Sequence, residues 1–111
     1  LLASGSSDFT IRIWDWLNGA LLNILVGHKG SILTLESLPN NMIASGSADD
    51  LIRIWDLNTG TIFRNLTGHI NDVISLTLVN ETLLMSGGLD LRFIMWNLSN
   101  WSLIRTTPVH S

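Results

Sequence analysis

The sequence predicts an all-β fold of repeated four-stranded antiparallel sheets. Three observations predict it: a 41-residue internal period, short apolar–polar alternating segments between turn signals, and no stretch with helical spacing. Ser4-Gly5, Ser45-Gly46 and Ser86-Gly87 recur at that period. So do Asp8, Asp49 and Asp90, then Trp14, Trp55 and Trp96, then His28, His69 and His110. Residues 1–41 aligned with 42–82 share 15 identities, far above chance. The chain therefore reads as one repeat domain, 1–111, divided into 1–41, 42–82 and 83–111.

The strands follow from the alternation. Ile11-Arg12-Ile13-Trp14 and Ile52-Arg53-Ile54-Trp55 place β-branched residues at every second position, the pattern of a half-buried strand. Ser6-Ser7-Asp8 and Ala48-Asp49-Asp50 supply turn chemistry before them, and Asn18-Gly19 and Asn58-Thr59-Gly60 supply it after. The third copy, Leu91-Arg92-Phe93-Ile94-Met95-Trp96, is more apolar. Turns at roughly ten-residue spacing with no helix between them fit an all-β architecture. A period near 40 with a Gly-His and a Trp-Asp signature points to a β-propeller.

Composition narrows the function classes. A hydrophobic content of 46% with 14% charge excludes a disordered tail. Nine acids against six bases give a net charge of -3, and Arg12, Lys29, Arg53, Arg64, Arg92 and Arg105 form no basic stripe. Nucleic acid is thus not an expected partner. With no cysteine there are no disulfides, thiolate zinc sites or thiol nucleophiles. That absence leans towards an intracellular address, cytoplasm or nucleus. No apolar run is long enough to cross a bilayer, so no membrane role is expected. Leu1-Leu2-Ala3-Ser4 shows no signal-peptide pattern and no initiating methionine, which suggests a processed or partial chain.

The chain resembles the WD-repeat family over its whole length. The resemblance rests on Gly27-His28, Ser45-Gly46-Ser47, Asp49 and Ile52-Arg53-Ile54-Trp55-Asp56, then on Gly68-His69, Ser86-Gly87, Asp90 and Trp96-Asn97. It implies blades of four antiparallel strands, a to d from the channel outwards. The first blade would hold strands b to d at 1–5, 10–15 and 20–25. The second would run 31–37, 42–46, 51–56 and 61–66, and the third 72–78, 83–87, 92–97 and 102–107. That is about 2.75 blades of an incomplete ring.

A recurring His, Ser and Asp suggests a hydrolase triad, but an enzyme needs one site and not one per repeat. The resemblance implies structural hydrogen-bond tetrads instead: His28, Ser45, Asp49 and Trp55, then His69, Ser86, Asp90 and Trp96. Ser4, Asp8 and Trp14 form a set lacking its histidine, and His110 lacks its blade. The chemistry agrees, because an imidazole that donates at one nitrogen and accepts at the other can bridge carboxylate and hydroxyl. The indole N–H adds a donor, and such groups satisfy one another away from water. No catalytic, cofactor or metal site is expected, since histidines 41 apart match no ligand spacing.

Other features have plain explanations. Asp49-Asp50 reads as a turn. Asn65-Leu66-Thr67, Asn80-Glu81-Thr82, Asn97-Leu98-Ser99 and Asn100-Trp101-Ser102 match the glycosylation pattern but carry little weight without a signal peptide. Arg12 and Arg53 read as repeat residues with snorkelling stems. Trp16 and Trp101 fall outside the periodic set and are assigned to packing.

A propeller removes its bare sheet edges only by closing its ring, usually with four to eight blades. Each open end here would leave on the order of 10 kcal/mol of burial unrealised. The expectation is a fragment completed by the remaining blades of a larger propeller, with self-association as the other route. The resemblance further implies an interaction scaffold for other proteins or peptides. Its exposed positions map to Ser31, Leu33, Asp72 and Ile74 after the histidines, and to Ser7, Ala48 and Leu89 before the aspartates. These vary between copies while the tetrads do not, as a binding surface on a repeated frame would. The alternatives are blades that only complete a ring and, far behind, a propeller-based enzyme.

Overall fold

The computed structural model describes residues 2–5, 8–15, 17–69, 71–89 and 92–108. Ser7, Trp16, Asp90 and His110 lie outside the described residues.

Eleven strands follow in order: β1 (Leu2–Gly5), β2 (Thr10–Asp15), β3 (Ala20–Val26), β4 (Ile32–Leu38), β5 (Met42–Ser47), β6 (Ile52–Asp56), β7 (Thr61–Leu66), β8 (Val73–Asn80), β9 (Leu83–Gly88), β10 (Arg92–Asn97) and β11 (Ser102–Pro108). Every boundary lies within two residues of the expected one. They form three antiparallel meanders, β1-β2-β3, β4-β5-β6-β7 and β8-β9-β10-β11, with no helix among the described residues. The fold is all-β, a set of propeller blades in an open arrangement.

The repeat extends to backbone detail. The pairing of the third and fourth strands slips by one residue just before each tryptophan, between Ile13 and Trp14, Ile54 and Trp55, and Met95 and Trp96. A bulge there bends the strand and increases its local twist. The residue after each tryptophan caps the next turn. Asp15, Asp56 and Asn97 each accept, through Oδ1, the amide two residues on. Asn97 replaces Asp without loss because only the shared Oδ1 is used.

The core lies between blades. Ile52 and Ile54 of β6 join Ala44, Leu66, Val73, Leu76, Leu84, Ile94 and Trp96 between the second and third sheets. Trp55, one residue on and facing the other way, joins Ile43 with Ile11, Ile13 and Leu25 of the first sheet. Both faces of the middle blade are covered at β5 and β6, so the polar residues there, Ser45 and Arg53, are buried as well. Among the described residues, the last blade packs against a neighbouring blade on one face. Phe93 of β10 is 43% exposed, whereas its repeat counterpart Ile52 is 0% exposed. Among the inner strands, β4 packs beside β8. The Glu36 carboxylate of β4 accepts the Leu78 amide of β8 at 2.9 Å.

Candidate protein-binding surface

The second blade shows how the loops are held. Trp55 Nε1 donates to Ser45 Oγ at 2.8 Å, and Ser45 Oγ lies 2.5 Å from His28 Nε2. His28 Nδ1 lies 2.9 Å from Asp49 Oδ2. The four residues proposed as a tetrad thus sit together, with Ser45 and Trp55 fully buried. Arg53 completes the group. Its Nη1 donates to Asp49 Oδ2 at 2.6 Å and lies 2.7 Å from His28 Nδ1.

The snorkelling assignment for Arg53 is therefore corrected: the side chain is buried against Asp49 and is not extended to solvent. The reason is packing, because the first blade lies over this face of β6 and closes the route to water. Arg12, at the same register in the first blade, keeps partial exposure and pairs with Asp8 at 3.3 Å.

Charge in this network follows from burial and neighbours. Burial favours the neutral imidazole and lowers the His28 pKa, against the opposing pull of Asp49. Burial alone would raise the Asp49 carboxyl. The Lys29 amide, His28 and Arg53 outweigh it and hold that group at about 2.

The other two sets are built differently. Trp14 Nε1 donates to Ser4 Oγ at 3.1 Å in the first blade, where Ser4 is exposed. Asp8 accepts from the Thr10 amide and hydroxyl. In the third blade His69 Nε2 lies 2.8 Å from Ser86 Oγ, which also accepts Trp96 Nε1–H at 2.9 Å. Asp90 is outside the described residues. The register position of Arg53 holds Ile94, fully buried in the core.

Asp49 ties two loops together. Its Oδ2 accepts the Lys29 amide at 2.8 Å from the loop after β3, and its Oδ1 accepts the Leu51 amide at 3.1 Å. Ser47 Oγ donates to the Gly30 carbonyl and accepts the Asp49 amide, both at 3.1 Å. The Ala48 amide donates to the Ser31 carbonyl at 3.0 Å. Contact is so close that a Cβ on Gly30 would meet the Asp49 nitrogen at 2.7 Å. Only glycine fits there. The third blade repeats one cross-link, with the Leu89 amide donating to the Asp72 carbonyl at 2.9 Å.

On this frame Leu33, Ile74 and Leu89 stand 42%, 47% and 52% exposed. Ser31, Ala48 and Asp72 are half-buried beside them. Ser7 is outside the described residues. Leu33 also lines an open pocket with Gly5, Ile32, Thr34 and Leu35. Trp101 packs, as assigned: its ring meets Phe63 edge-on at 5.5 Å and covers the core between the second and third blades.

The family model described as "WD domain, G-beta repeat" matches residues 1–15 and 19–56. The chain is built of WD repeats. Among curated proteins it is similar to nuclear distribution protein PAC1 of Ajellomyces capsulatus, 54% identical over 35 residues, which is 32% of this chain and 8% of that protein. PAC1 of Tuber melanosporum is 50% identical over 36 residues and nudF 2 of Penicillium rubens 47% over 36, each again 32% of this chain and 8% of the relative. The matches span less than a tenth of those relatives. Sequence reasoning on the WD repeats missed Arg53, Lys29 and Ser47 as loop-holding groups. A usable signal was the four-residue step from Asp49 to Arg53 together with the Ile94 replacement.

Proposed function

We propose that these WD repeats serve a non-catalytic protein-interaction scaffold, and that partners dock on Leu33, Ile74 and Leu89 with Ser31, Ala48 and Asp72 around them. Ser7 is the matching position of the first blade. One observation carries the proposal: three large apolar side chains stay exposed, Leu33 and Ile74 near the starts of β4 and β8 and Leu89 just after β9, beside loops that hydrogen bonds cross-link. A preorganised apolar surface loses little conformational freedom when a peptide or a protein loop docks. Relatives built of the same repeats and named for nuclear distribution support a scaffold role. The scaffold belongs to a multiprotein or regulatory complex at an intracellular address, and the remaining blades of a larger propeller cover its open faces.

The geometry of the second blade favours the structural role of its His, Ser and Asp over a hydrolase triad. Ser45 is fully buried and its oxygen is engaged by Trp55 and His28, so it cannot approach a substrate carbonyl.

The test is Leu33→Asp with Ile74→Asp in the full-length protein. Circular dichroism and melting should stay close to wild type while recovery of co-purified partners falls roughly tenfold or more. Unchanged recovery with an intact fold would leave the second reading, in which these blades only complete a ring. The exposed face around Phe93 is the observation that favours it.

A further inference from the structure

The strand ends opposite Leu33, Ile74 and Leu89 carry a second feature. Between the second and third blades the turns at that end enclose a cleft of about 40 Å³. Its lining is mostly apolar: Leu38 is buried, and Pro39, Met42, Leu98 and Trp101 are half-buried. Glu81 stands exposed among them. A cleft of that size is far too small for a cofactor. It suits the tip of one side chain. The turns around it are cross-linked in both blades. The Leu57 amide donates to the Asn41 carbonyl at 3.0 Å, and the Leu98 amide to the Thr82 carbonyl at 2.9 Å. Asn41 Nδ2 also donates to Asn58 Oδ1 at 2.7 Å. The cleft is therefore preorganised, and a ligand that enters it orders little of the protein.

Two of these residues break the repeat. Trp101 stands where the earlier blades have Gly19 and Gly60, and Glu81 stands where the second blade has Asn40. Trp101 holds a φ of 60°, a left-handed backbone that glycine adopts freely and tryptophan rarely. Strain of this kind gathers at functional sites. Phe63 meets the ring edge-on, yet the residue stays half-buried at the cleft. The Glu81 carboxylate has no hydrogen-bond or ion-pair partner among the described residues. Charge at this end has one sign. The turns with their flanking strand residues, 15–20, 38–42, 56–61, 80–83 and 97–102, contain Asp15, Asp56 and Glu81 and neither lysine nor arginine. The opposite end mixes Lys29 and Arg92 with its aspartates. We propose that this cleft docks a segment of another protein that presents one apolar side chain with a lysine or arginine beside it. The apolar tip covers Leu98 and Trp101, and the cation answers Glu81. Charge complementarity selects that occupant, because an acidic segment would meet only like charge here.

The probe is a library of random heptapeptides displayed on phage and selected against the immobilised full-length protein. The pool should converge on an apolar residue next to lysine or arginine. The leading peptide, synthesised, should bind the wild type more weakly as salt rises. Its affinity should fall roughly tenfold or more in Glu81→Lys and in Trp101→Gly. Glu81 is exposed, so Glu81→Lys should melt like the wild type and decides the matter even if Trp101→Gly fails to fold. Leu33→Asp with Ile74→Asp should leave this affinity unchanged, which separates the cleft from the surface at the other end. An unenriched pool, a pool without that pattern, or an affinity unchanged in Glu81→Lys overturns the proposal. Convergence on a stretch of the protein's own remaining sequence, or self-association that Glu81→Lys abolishes, gives the cleft another occupant and overturns it too.

Discussion

Trp55→Phe isolates the hydrogen-bonded part of the middle blade. Phenylalanine keeps most of the apolar ring but removes the indole N–H that donates to Ser45 Oγ at 2.8 Å. Both residues are fully buried, so no water replaces the donor. A buried acceptor that loses its donor costs about 1–3 kcal/mol. The lost ring volume adds about 1 kcal/mol, because the site can collapse only partly. The pocket is tight on that side, since a Cβ on Gly27 would lie 3.1 Å from Trp55 Cη2. We therefore expect a loss of about 2–4 kcal/mol in unfolding free energy. The internal control is Trp14→Phe, which removes the same bond from an exposed serine at 3.1 Å. Water replaces that donor, and the cost should stay below about 1 kcal/mol. Urea or thermal melts of the two variants in parallel measure the difference. Equal losses would refute the reasoning, because the acceptor and the ring are both buried at Trp55 and are not at Trp14.

Three further outcomes are expected. Acid should weaken the fold in two windows. The folded state disfavours protonated His28, so stability drops as pH falls below its ordinary 6.5. The depressed Asp49 carboxyl contributes fully above its ordinary 3.8 and loses about 1–2 kcal/mol as pH falls towards 2, after allowance for solvent screening. Denaturant titrations at pH 7, 5 and 3 check the sign, and a stability rising on acidification would contradict it. A panel of ester, peptide and phosphate substrates should give background turnover, and activity abolished by Ser45→Ala would overturn the non-catalytic reading. Trp101→Gly should relieve about 1 kcal/mol of left-handed backbone cost yet lose more through the contact with Phe63. A net loss of about 1 kcal/mol in melts would fit, and a clear gain would show that the ring contributes nothing.

The frame was legible because its signals are local and periodic. Alternation around Ile52–Trp55 and the turn residues beside it set strand and register, and the 41-residue offset carried both to the neighbouring blades. Arg53 was not legible in that way. Its alternation says only that it faces away from Ile52 and Ile54. Whether that face is wet depends on the first blade folding over it, a contact between residues some forty positions apart. The same holds for Gly30, whose packing on Ala48 and Asp49 joins two loops. Trp101 lay between these cases. Gly19, Gly60 and Trp101 occupy one repeat position and share a positive φ of 71°, 72° and 60°, so the offset marks the backbone while Phe63 supplies the reason for the ring.

One repeat position is filled in three ways, and the comparison bears on why Arg53 is there. At the open end Arg12 makes a half-exposed pair with Asp8, of a kind worth at most about 1 kcal/mol. In the third blade Ile94 fills the position and is wholly buried. Between them Arg53 is buried with a charge, and its Nε has no hydrogen-bond partner among the described residues. Replacing a buried ion pair by an apolar residue is often neutral or stabilising. Ile94 shows that this fold accepts such a residue at that register. Stability alone therefore does not explain the arginine. What it adds is geometry: a further side-chain donor on Asp49, hence a fixed carboxylate, hence fixed Lys29 and Leu51 amides next to Ser31, Leu33 and Ala48. A charge that costs stability in the core is best explained by the loops it holds at the surface.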